Sequence, residues 1–180
     1  MNTYVVLLRG INVGGRNALS MKKLVVLLEG LGCRNVKTYI QSGNVVLQSS
    51  KNDFHLAERI GYEIERRQGF KPCALLLKIS EFETAIAANP FPEAESDPKG
   101  LHFGFLDTAP SDPDLKKLET LKTKSERFQL INKVFYLHAP EGVGRSKLAA
   151  NSERLLGVSM TDRNWRTVSK IRDMAEELER

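Results

Sequence analysis

The residue types best suited to binding chemistry lie in a glycine-rich segment near the start of the chain. Residues 9–17 read RGINVGGRN, and they follow a short apolar run, Tyr4–Leu8, that predicts a buried strand. A glycine-rich loop between a strand and a helix can point several backbone N–H groups at one anion, and the positive end of the helix dipole adds to the attraction. Arginine and asparagine side chains supply further donors. The segment therefore predicts an anion-binding loop built from Arg9, Asn12, Gly14, Gly15 and Arg16.

The spacing of these glycines matches no established nucleotide-binding motif. Gly10 and Gly15 have the G-x-x-x-x-G spacing of a phosphate loop, but Arg16 and Asn17 stand where that loop needs a lysine and a hydroxyl residue. The G-x-G-x-x-G fingerprint of dinucleotide-binding folds is absent. The alternative interpretation is that the glycines only permit turns with positive φ angles. The sequence leaves both interpretations open.

Three other polar segments share this pattern, because each lies where a predicted strand or helix begins or ends. Residues 140–147 (PEGVGRSK) lead from a strand into a helix, residues 161–166 (TDRNWR) precede the last helix, and residues 41–44 (QSGN) form a hairpin tip. Binding residues concentrate at such ends. For Trp165 we favour core packing over stacking on a base, and for the hairpin tip a plain turn is the alternative. The predicted ligand contacts in these segments are Ser42, Asn44, Lys147, Arg163 and Asn164.

Catalytic and metal-binding chemistry has little support in the sequence. The three histidines, His55, His102 and His138, have no motif partner, so a satisfied or exposed role is favoured over catalysis. Cys33 and Cys73 lack a C-x-x-C pattern and a nearby histidine pair. We therefore expect two free thiols, no bound metal and no cofactor. Whether the protein is an enzyme stays open.

Composition and charge predict a cytoplasmic protein that is not bound to membranes. Of the 180 residues, 41% are hydrophobic and 27% are charged, as in ordinary globular proteins. No apolar run approaches the roughly 18 residues that cross a bilayer, and the N-terminus lacks signal-peptide features. The net charge of +5 is distributed as +7 over residues 1–79, −7 over 80–114, +8 over 115–172 and −3 over the last eight residues. Such segregation favours anionic partners or charge pairing within the molecule.

Hydrophobic periodicity predicts an α+β protein of two sub-domains, residues 1–79 and residues 80–180. The first reads β-α-β-β-α-β, the ferredoxin-like order, in which an antiparallel sheet carries both helices on one face. Asn52 or Asp53 is expected to cap its second helix. The second sub-domain is a related, smaller unit that reads β-α-β-β-α with a further helix at either end. Its predicted elements are a helix opened by a Ser80–Glu83 capping box, strands Leu101–Leu106, Arg127–Ile131 and Val134–Leu137, helices over 111–120 and 146–156, and a last helix capped by Thr161 or Asn164.

Three longer motifs stand out: LLRGINVGG at Leu7–Gly15, TYIQSGNVV at Thr38–Val46 and TDRNW at Thr161–Trp165. They resemble the signatures of a bacterial family known as the domain of unknown function family 1697, and the resemblance runs over nearly the whole chain. It implies a two-part α+β fold with a ferredoxin-like N-terminal half, and it carries no activity, substrate or catalytic residue. Arg166 departs from the asparagine that the family pattern implies. If that position contacts a ligand, the change favours a more negatively charged one.

Three hypotheses for function follow. The first is that the protein binds a small phosphorylated or carboxylated ligand, with or without a reaction, in a cleft between the two sub-domains. The second is non-specific nucleic-acid binding through the basic segments 1–79 and 115–172. Base stacking of the kind seen in RNA-recognition sheets is disfavoured, because the predicted strand Asn44–Gln48 has no aromatic residue. The third is a protein-interaction or structural role without a ligand.

Overall fold

The computed structural model describes residues 1–50 and 53–179, and in it the chain divides into two compact units. One unit comprises Met1–Thr84 together with the C-terminal residues from Ser169, and the other comprises Ala85–Val168. The division along the chain lies five residues beyond the predicted boundary at residue 79. The last segment of the C-terminal helix lies with the first unit rather than the second. Cys33 and Cys73 are free thiols.

The first unit has the predicted ferredoxin-like fold. Its elements follow the order β-α-β-β-α-β, and its four strands form one antiparallel sheet in the order β2-β3-β1-β4. The central strand β1 pairs with β3 on one side and with β4 on the other. The bounds are β1 Asn2–Arg9, α1 Met21–Gly30, β2 Arg34–Tyr39, β3 Asn44–Ser49, α2 Asp53–Gln68 and β4 Cys73–Lys78.

One face of this sheet carries both helices because its side chains are apolar at every second position. Tyr4, Val6 and Leu8 of β1 are buried in one cluster with Leu24 of α1 and Ile60 of α2. Ser20 is the N-cap of α1, because its side chain accepts a hydrogen bond from the Lys23 backbone N–H. The predicted cap of α2 at Asn52 lies outside the described residues.

On the opposite face of the first sheet, the central strands β1 and β3 are buried as well. Val5, Leu7 and Val46, which point away from the helices, have no solvent-exposed surface. A sheet that reads single-stranded RNA presents exposed aromatic side chains on this face. Val5, Leu7 and Val46 offer a base no aromatic ring of that kind, in agreement with the sequence argument.

The second unit repeats the same connectivity in full. Its sheet has the strand order β6-β7-β5-β8, again with all neighbours antiparallel. The strands predicted over Leu101–Leu106 and Arg127–Ile131 have the predicted bounds. The elements are β5 Leu101–Leu106, α4 Leu115–Leu121, β6 Arg127–Ile131, β7 Val134–His138, α5 Lys147–Leu156 and β8 Met160–Asn164, with α3 (Ile79–Ala87) before them and α6 (Trp165–Glu179) after them.

The eighth strand was missed by sequence reasoning. Residues 160–164 read MTDRN, which has no apolar alternation, and the sequence analysis assigned them to the approach to the last helix. Among the described strands, β8 pairs with β5 alone and so lies at the edge of the sheet. Polar and charged side chains are common on edge strands, which explains why its sequence lacks apolar alternation. The predicted helix cap at Asn164 is correct, because its side-chain oxygen accepts a hydrogen bond from the Thr167 N–H at 3.1 Å.

Two predicted helix starts were wrong. α3 begins at Ile79, and Glu81 rather than Glu83 bonds back to the N–H of Lys78, at 2.9 Å. α4 begins only at Leu115, because Asp114 acts as its N-cap and accepts from the Lys117 N–H. In both cases the acidic residue that satisfies the free N–H groups fixes where the helix begins.

The C-terminal segment of α6 is held to the sheet of the first unit. Lys37 of β2 forms an ion pair with Glu177 at 2.8 Å, and the Gln48 amide donates to the carbonyl of Leu178 at 3.4 Å. These bonds explain why the end of the chain lies with the first unit, although the sequence analysis grouped it with residues 80–180. Among the described helices none has the length and apolar character that a membrane span requires.

Candidate functional site

The glycine-rich segment after β1 forms a tight hairpin rather than a phosphate loop. The Arg16 N–H donates to the carbonyl of Val13 at 3.0 Å, and the Asn12 N–H donates to the carbonyl of Asn17 at 3.0 Å. Gly14 and Gly15 form the two-residue tip with φ angles of 57° and 73°, the signature of a type I′ turn. α1 begins only at Met21, so the hairpin does not lead its glycines directly into a helix N-terminus.

Asn12 holds this hairpin in place. Its side-chain amide donates to the carbonyl of Leu19 at 2.8 Å and to the carbonyl of Gln41 at 2.7 Å, while its oxygen accepts from the Leu19 N–H at 2.8 Å. Both amide hydrogens are therefore used within the protein. The bond to Gln41 ties the hairpin to the turn between β2 and β3. Asn12 was predicted to contact a ligand, and these bonds show that it positions the loops that surround it.

The turn between β2 and β3 is built in a similar way. The side-chain amide of Asn44, which is fully buried, donates to the carbonyl of Tyr39 at 3.1 Å and to the hydroxyl of Ser42 at 2.9 Å. The Gly43 carbonyl accepts from the Leu8 N–H at 2.8 Å. The turn interpretation of QSGN thus holds for Asn44 and Gly43, while Ser42 remains partly exposed.

These bonds bring two of the predicted segments together in the first unit, at the end of the sheet where β1 finishes. We name this region the hairpin–turn surface, comprising residues 9–17 and 40–43. Arg9, Gly14, Gly15 and Arg16 are solvent-exposed on it. Within the described residues the Arg16 side chain makes no hydrogen bond or ion pair. The arrangement therefore presents cationic side chains beside a glycine tip.

Two β-branched side chains are also exposed on the hairpin–turn surface. Val13 is 67% exposed and Ile40 is 52% exposed. Ile40 has a φ angle of +49°, which is rare for a β-branched residue because its side chain crowds the backbone there. Strain of this kind concentrates at functional positions. The surface thus combines positive charge with apolar contact area.

The remaining predicted contacts lie in or beside the second unit's elements. Lys147 is the exposed first residue of α5, and the helix is capped by Ser146, whose hydroxyl accepts from the Ala149 N–H at 3.0 Å. Arg163 on β8 is half-buried and donates to the carbonyl of Asp162 at 2.8 Å. Burial lowers the pKa of the Arg163 guanidinium, and the charge of Asp162 opposes that shift. Asn164 is the cap of α6.

Trp165 packs in the core, as its sequence context predicts. It is 6% exposed and stacks on Phe103 with ring centroids 5.6 Å apart and an interplanar angle of 28°. A base or sugar therefore has no open ring face on which to stack.

Sequence reasoning missed a histidine–carboxylate pair. The Nδ1 atom of His102 lies 2.7 Å from a carboxylate oxygen of Asp162, and its Nε2 atom lies 2.9 Å from the carbonyl of Lys99. Both partners are hydrogen-bond acceptors, so a ring protonated on both nitrogens satisfies both of them, and this geometry favours the charged form of His102. Burial acts to lower the pKa of His102, but the bond to Asp162, its charge and the Lys99 carbonyl outweigh burial and raise that pKa above its usual value.

This pair predicts that the protein is more stable at mildly acidic pH. A histidine whose pKa is raised by folding stabilises the folded state fully below its unfolded pKa, and this contribution is lost as pH rises through the folded pKa. The free energy of unfolding should therefore fall between about pH 6 and about pH 8, and His102→Gln should remove that part of the fall. Urea unfolding at both pH values measures it. Equal pH dependence in the parent and in the variant would contradict the prediction.

His138 also has partners that its sequence context does not reveal. Its Nδ1 atom accepts from the Arg127 guanidinium at 3.0 Å, so the ring proton lies on Nε2, which faces Asp97 at 3.2 Å. Arg127 in turn pairs with Glu93 at 2.6 Å and lies 4.6 Å above the ring of Phe91. The prediction of satisfied histidines is thus confirmed for His102 and His138. Their partners come from distant segments, and no local spacing signals them.

Comparison with known proteins supports the fold and leaves the activity open. The family model described as "Protein of unknown function (DUF1697)" matches residues 1–136. No curated protein matches the chain. A similar solved structure is that of the conserved bacterial protein SP0830 from Streptococcus pneumoniae, with 26% sequence identity, a TM-score of 0.76 and coverage of 97% of this chain and 98% of that one.

Proposed function

The chain belongs to the DUF1697 family of proteins of unknown function, and we propose that this member binds a small phosphorylated or carboxylated ligand at the hairpin–turn surface. The main support for the proposal is the hydrogen bond of 2.7 Å from the Asn12 side-chain amide to the Gln41 carbonyl, which fixes the hairpin against the turn between β2 and β3. Arg9 and Arg16 then stand exposed on loops whose own polar groups are largely satisfied. Preorganised loops bind anions with less loss of conformational entropy.

The charge of the N-terminal segment supports the same chemistry. Residues 1–79 carry a net charge of +7. Helix α1, which follows the hairpin, has no acidic residue in its first turn and has Lys22 and Lys23 there instead. Cations near the positive end of a helix dipole weaken the helix, so their presence favours an anionic partner over a purely structural role. The prediction that Lys147, Arg163 and Asn164 complete the same site stays a prediction.

A thermal-shift screen tests the proposal. The panel contains inorganic phosphate and pyrophosphate, nucleotides, phosphosugars, organic acids and short oligonucleotides. An anion present at a hundredfold its Kd should raise the free energy of unfolding by about 2.7 kcal/mol. Arg16→Gln should lose that stabilisation while melting like the parent without ligand, because the Arg16 side chain is exposed. Arg59→Gln, which removes another exposed arginine in α2 of the same unit, is the matched control and should keep it.

Three outcomes would count against the proposal. Stabilisation by no small anion would remove it. An equal loss in Arg16→Gln and Arg59→Gln would indicate diffuse charge screening rather than a site. Oligonucleotide binding that weakens steeply with salt, without a small-anion response, would favour non-specific nucleic-acid binding through the basic segments.

A protein partner at the same surface is the second candidate function. The exposed side chains of Val13 and Ile40, and the strained backbone of Ile40, favour it. A partner that covers them would bury apolar area that lies open in the isolated chain. Replacing both residues with serine should abolish such an interaction without altering the response to anions, which separates the two candidates. We expect either function to take place in the cytoplasm.

A further inference from the structure

The second unit contains a cavity that neither the hairpin–turn surface nor the family assignment involves. It lies between helix α5 and the strands β7 and β8, and its volume is about 260 Å³. An apolar cavity of roughly 150 Å³ accepts a benzene ring, so this one has room for a ring with a short substituent. Its walls are mostly apolar and include Phe135, Leu137, Val143, Ala149 and Met160, while Ser152 and Asp162 add polar atoms.

A missing side chain in the sheet helps to shape the cavity. Gly104 of β5 lies in register between Phe135 of β7 and Asp162 of β8. A Cβ atom at Gly104 would collide with the sulfur of Met160 and would lie 3.3 Å from the Phe135 carbonyl oxygen. The flexible thioether of Met160 therefore lies across the space that a side chain would fill. Methionine adapts its shape readily, which suits a wall that must adjust to an occupant.

Among the described residues that line the cavity, Asp162 alone is charged. One of its carboxylate oxygens accepts from His102 at 2.7 Å, and that ring is 7% exposed. In the part of the chain that the structure describes, the second oxygen of Asp162 has no hydrogen-bond partner. It can accept one hydrogen bond from an occupant. When the His102 ring is protonated on both nitrogens it balances the charge of the Asp162 carboxylate, and the pair as a whole is then neutral.

We propose that this cavity binds a small, uncharged organic molecule with an apolar body and a hydroxyl group that donates to Asp162. The apolar walls contribute affinity by burying the body of the molecule, and one polar group fixes its orientation, as in small-molecule sites generally. A carboxylate ligand is excluded because it would face the carboxylate of Asp162. An ammonium ligand is disfavoured because a protonated His102 already balances the charge of Asp162, so the cavity offers little net negative charge to a cation. The chemistry is thus opposite to that of the anion site.

Benzyl alcohol is a suitable probe, with toluene and benzoate as comparisons. Backbone amide shifts of the full chain, followed by NMR during titration, report both the Kd and the location. Benzyl alcohol should produce saturable shifts at residues of α5, β7 and β8, and it should bind about tenfold more tightly than toluene because of the hydrogen bond to Asp162. Benzoate should produce no saturable shifts there.

Two variants locate the site. Ala149→Leu places a larger side chain in the cavity without touching the His102–Asp162 pair, and it should abolish binding of both neutral probes. Ala57→Leu, at a half-buried alanine on α2 of the first unit, is the matched control and should leave binding unchanged. Asp162→Leu removes the acceptor, so the preference for benzyl alcohol over toluene should disappear while toluene still binds.

The proposal fails if benzyl alcohol causes no saturable shifts in α5, β7 and β8 of the parent. It also fails if Ala149→Leu binds benzyl alcohol as tightly as the parent does, or if folded Asp162→Leu keeps the preference for the alcohol. The inference does not depend on the proposed anion site, since benzyl alcohol and toluene carry no charge and the variants of each test lie outside the residues of the other site.

Discussion

Replacing Gly43 with alanine should lower the free energy of unfolding by about 2 to 5 kcal/mol. Two causes add. The φ angle of Gly43 is +78°, where an L-residue is strained by roughly 1 to 2 kcal/mol. A Cβ atom would also lie 2.6 Å from the Cβ of Leu8 and 2.9 Å from the Cδ1 of Ile11, and such overpacking of a core costs roughly 1 to 3 kcal/mol. Urea unfolding at constant pH measures the change.

Gly14→Ala is the matched control for this prediction. Gly14 also has a positive φ angle, +57°, but nothing lies within 4 Å of a Cβ atom there. Alanine at position 14 should therefore lower the free energy of unfolding through backbone strain alone, by roughly 1 to 2 kcal/mol. If the two variants are destabilised equally, the close packing of the β2–β3 turn against Leu8 and Ile11 is not what fixes that turn.

Replacing Asn12 with alanine should lower the free energy of unfolding by about 3 kcal/mol. The side chain makes three hydrogen bonds of 2.7 to 2.8 Å, each contributing roughly 0.5 to 1.5 kcal/mol. Asparagine also tolerates its φ angle of +52° better than alanine does. Beyond stability, the hairpin and the turn should lose their fixed relation, because the bond to the Gln41 carbonyl disappears. Faster amide hydrogen exchange in residues 40–43 would report that release.

Asn17→Ala is the control that separates the loss of the Asn12 side-chain hydrogen bonds from the strain of alanine at a positive φ angle. Asn17 has a similar φ angle, +53°, but only one described side-chain bond, to the Gly10 carbonyl at 2.7 Å. This variant should lose about half as much stability as Asn12→Ala and should leave exchange in residues 40–43 unchanged. Similar losses in both variants, with unaltered exchange in the turn, would show that Asn12 acts within the hairpin alone.

The elements with strong periodicity could be predicted from the sequence, and those held by long-range partners could not. β5 alternates large apolar residues and was placed at its observed bounds. β8 has a polar sequence and is a strand only because β5 offers it an open edge. Because β8 was not predicted from the sequence, the full β-α-β-β-α-β order of the second unit was not recognised. The two units can share a strand order without sharing a sequence, because different apolar side chains can pack helices onto a sheet in the same arrangement.

In the candidate site, too, some features could be predicted from the sequence and others depend on long-range contacts. Residue type and spacing drew attention to two segments that the structure joins, since the Asn12 amide of the first donates to the Gln41 carbonyl of the second. They did not identify the roles of the asparagines: Asn12 and Asn44 use their amides to build the loops. The His102–Asp162 pair joins residues 60 positions apart. Only the pairing of β5 with β8 brings them together, so no local pattern predicts it.

If the hairpin–turn surface is an anion site, it should bind inorganic pyrophosphate. The most direct test is an NMR titration of the full chain with pyrophosphate, followed at the backbone amides. We expect saturable shifts confined to residues 9–17 and 40–43, retained in Arg59→Gln and lost in Arg16→Gln. Shifts that do not saturate, or that spread evenly over the exposed lysines and arginines of both units, would contradict it.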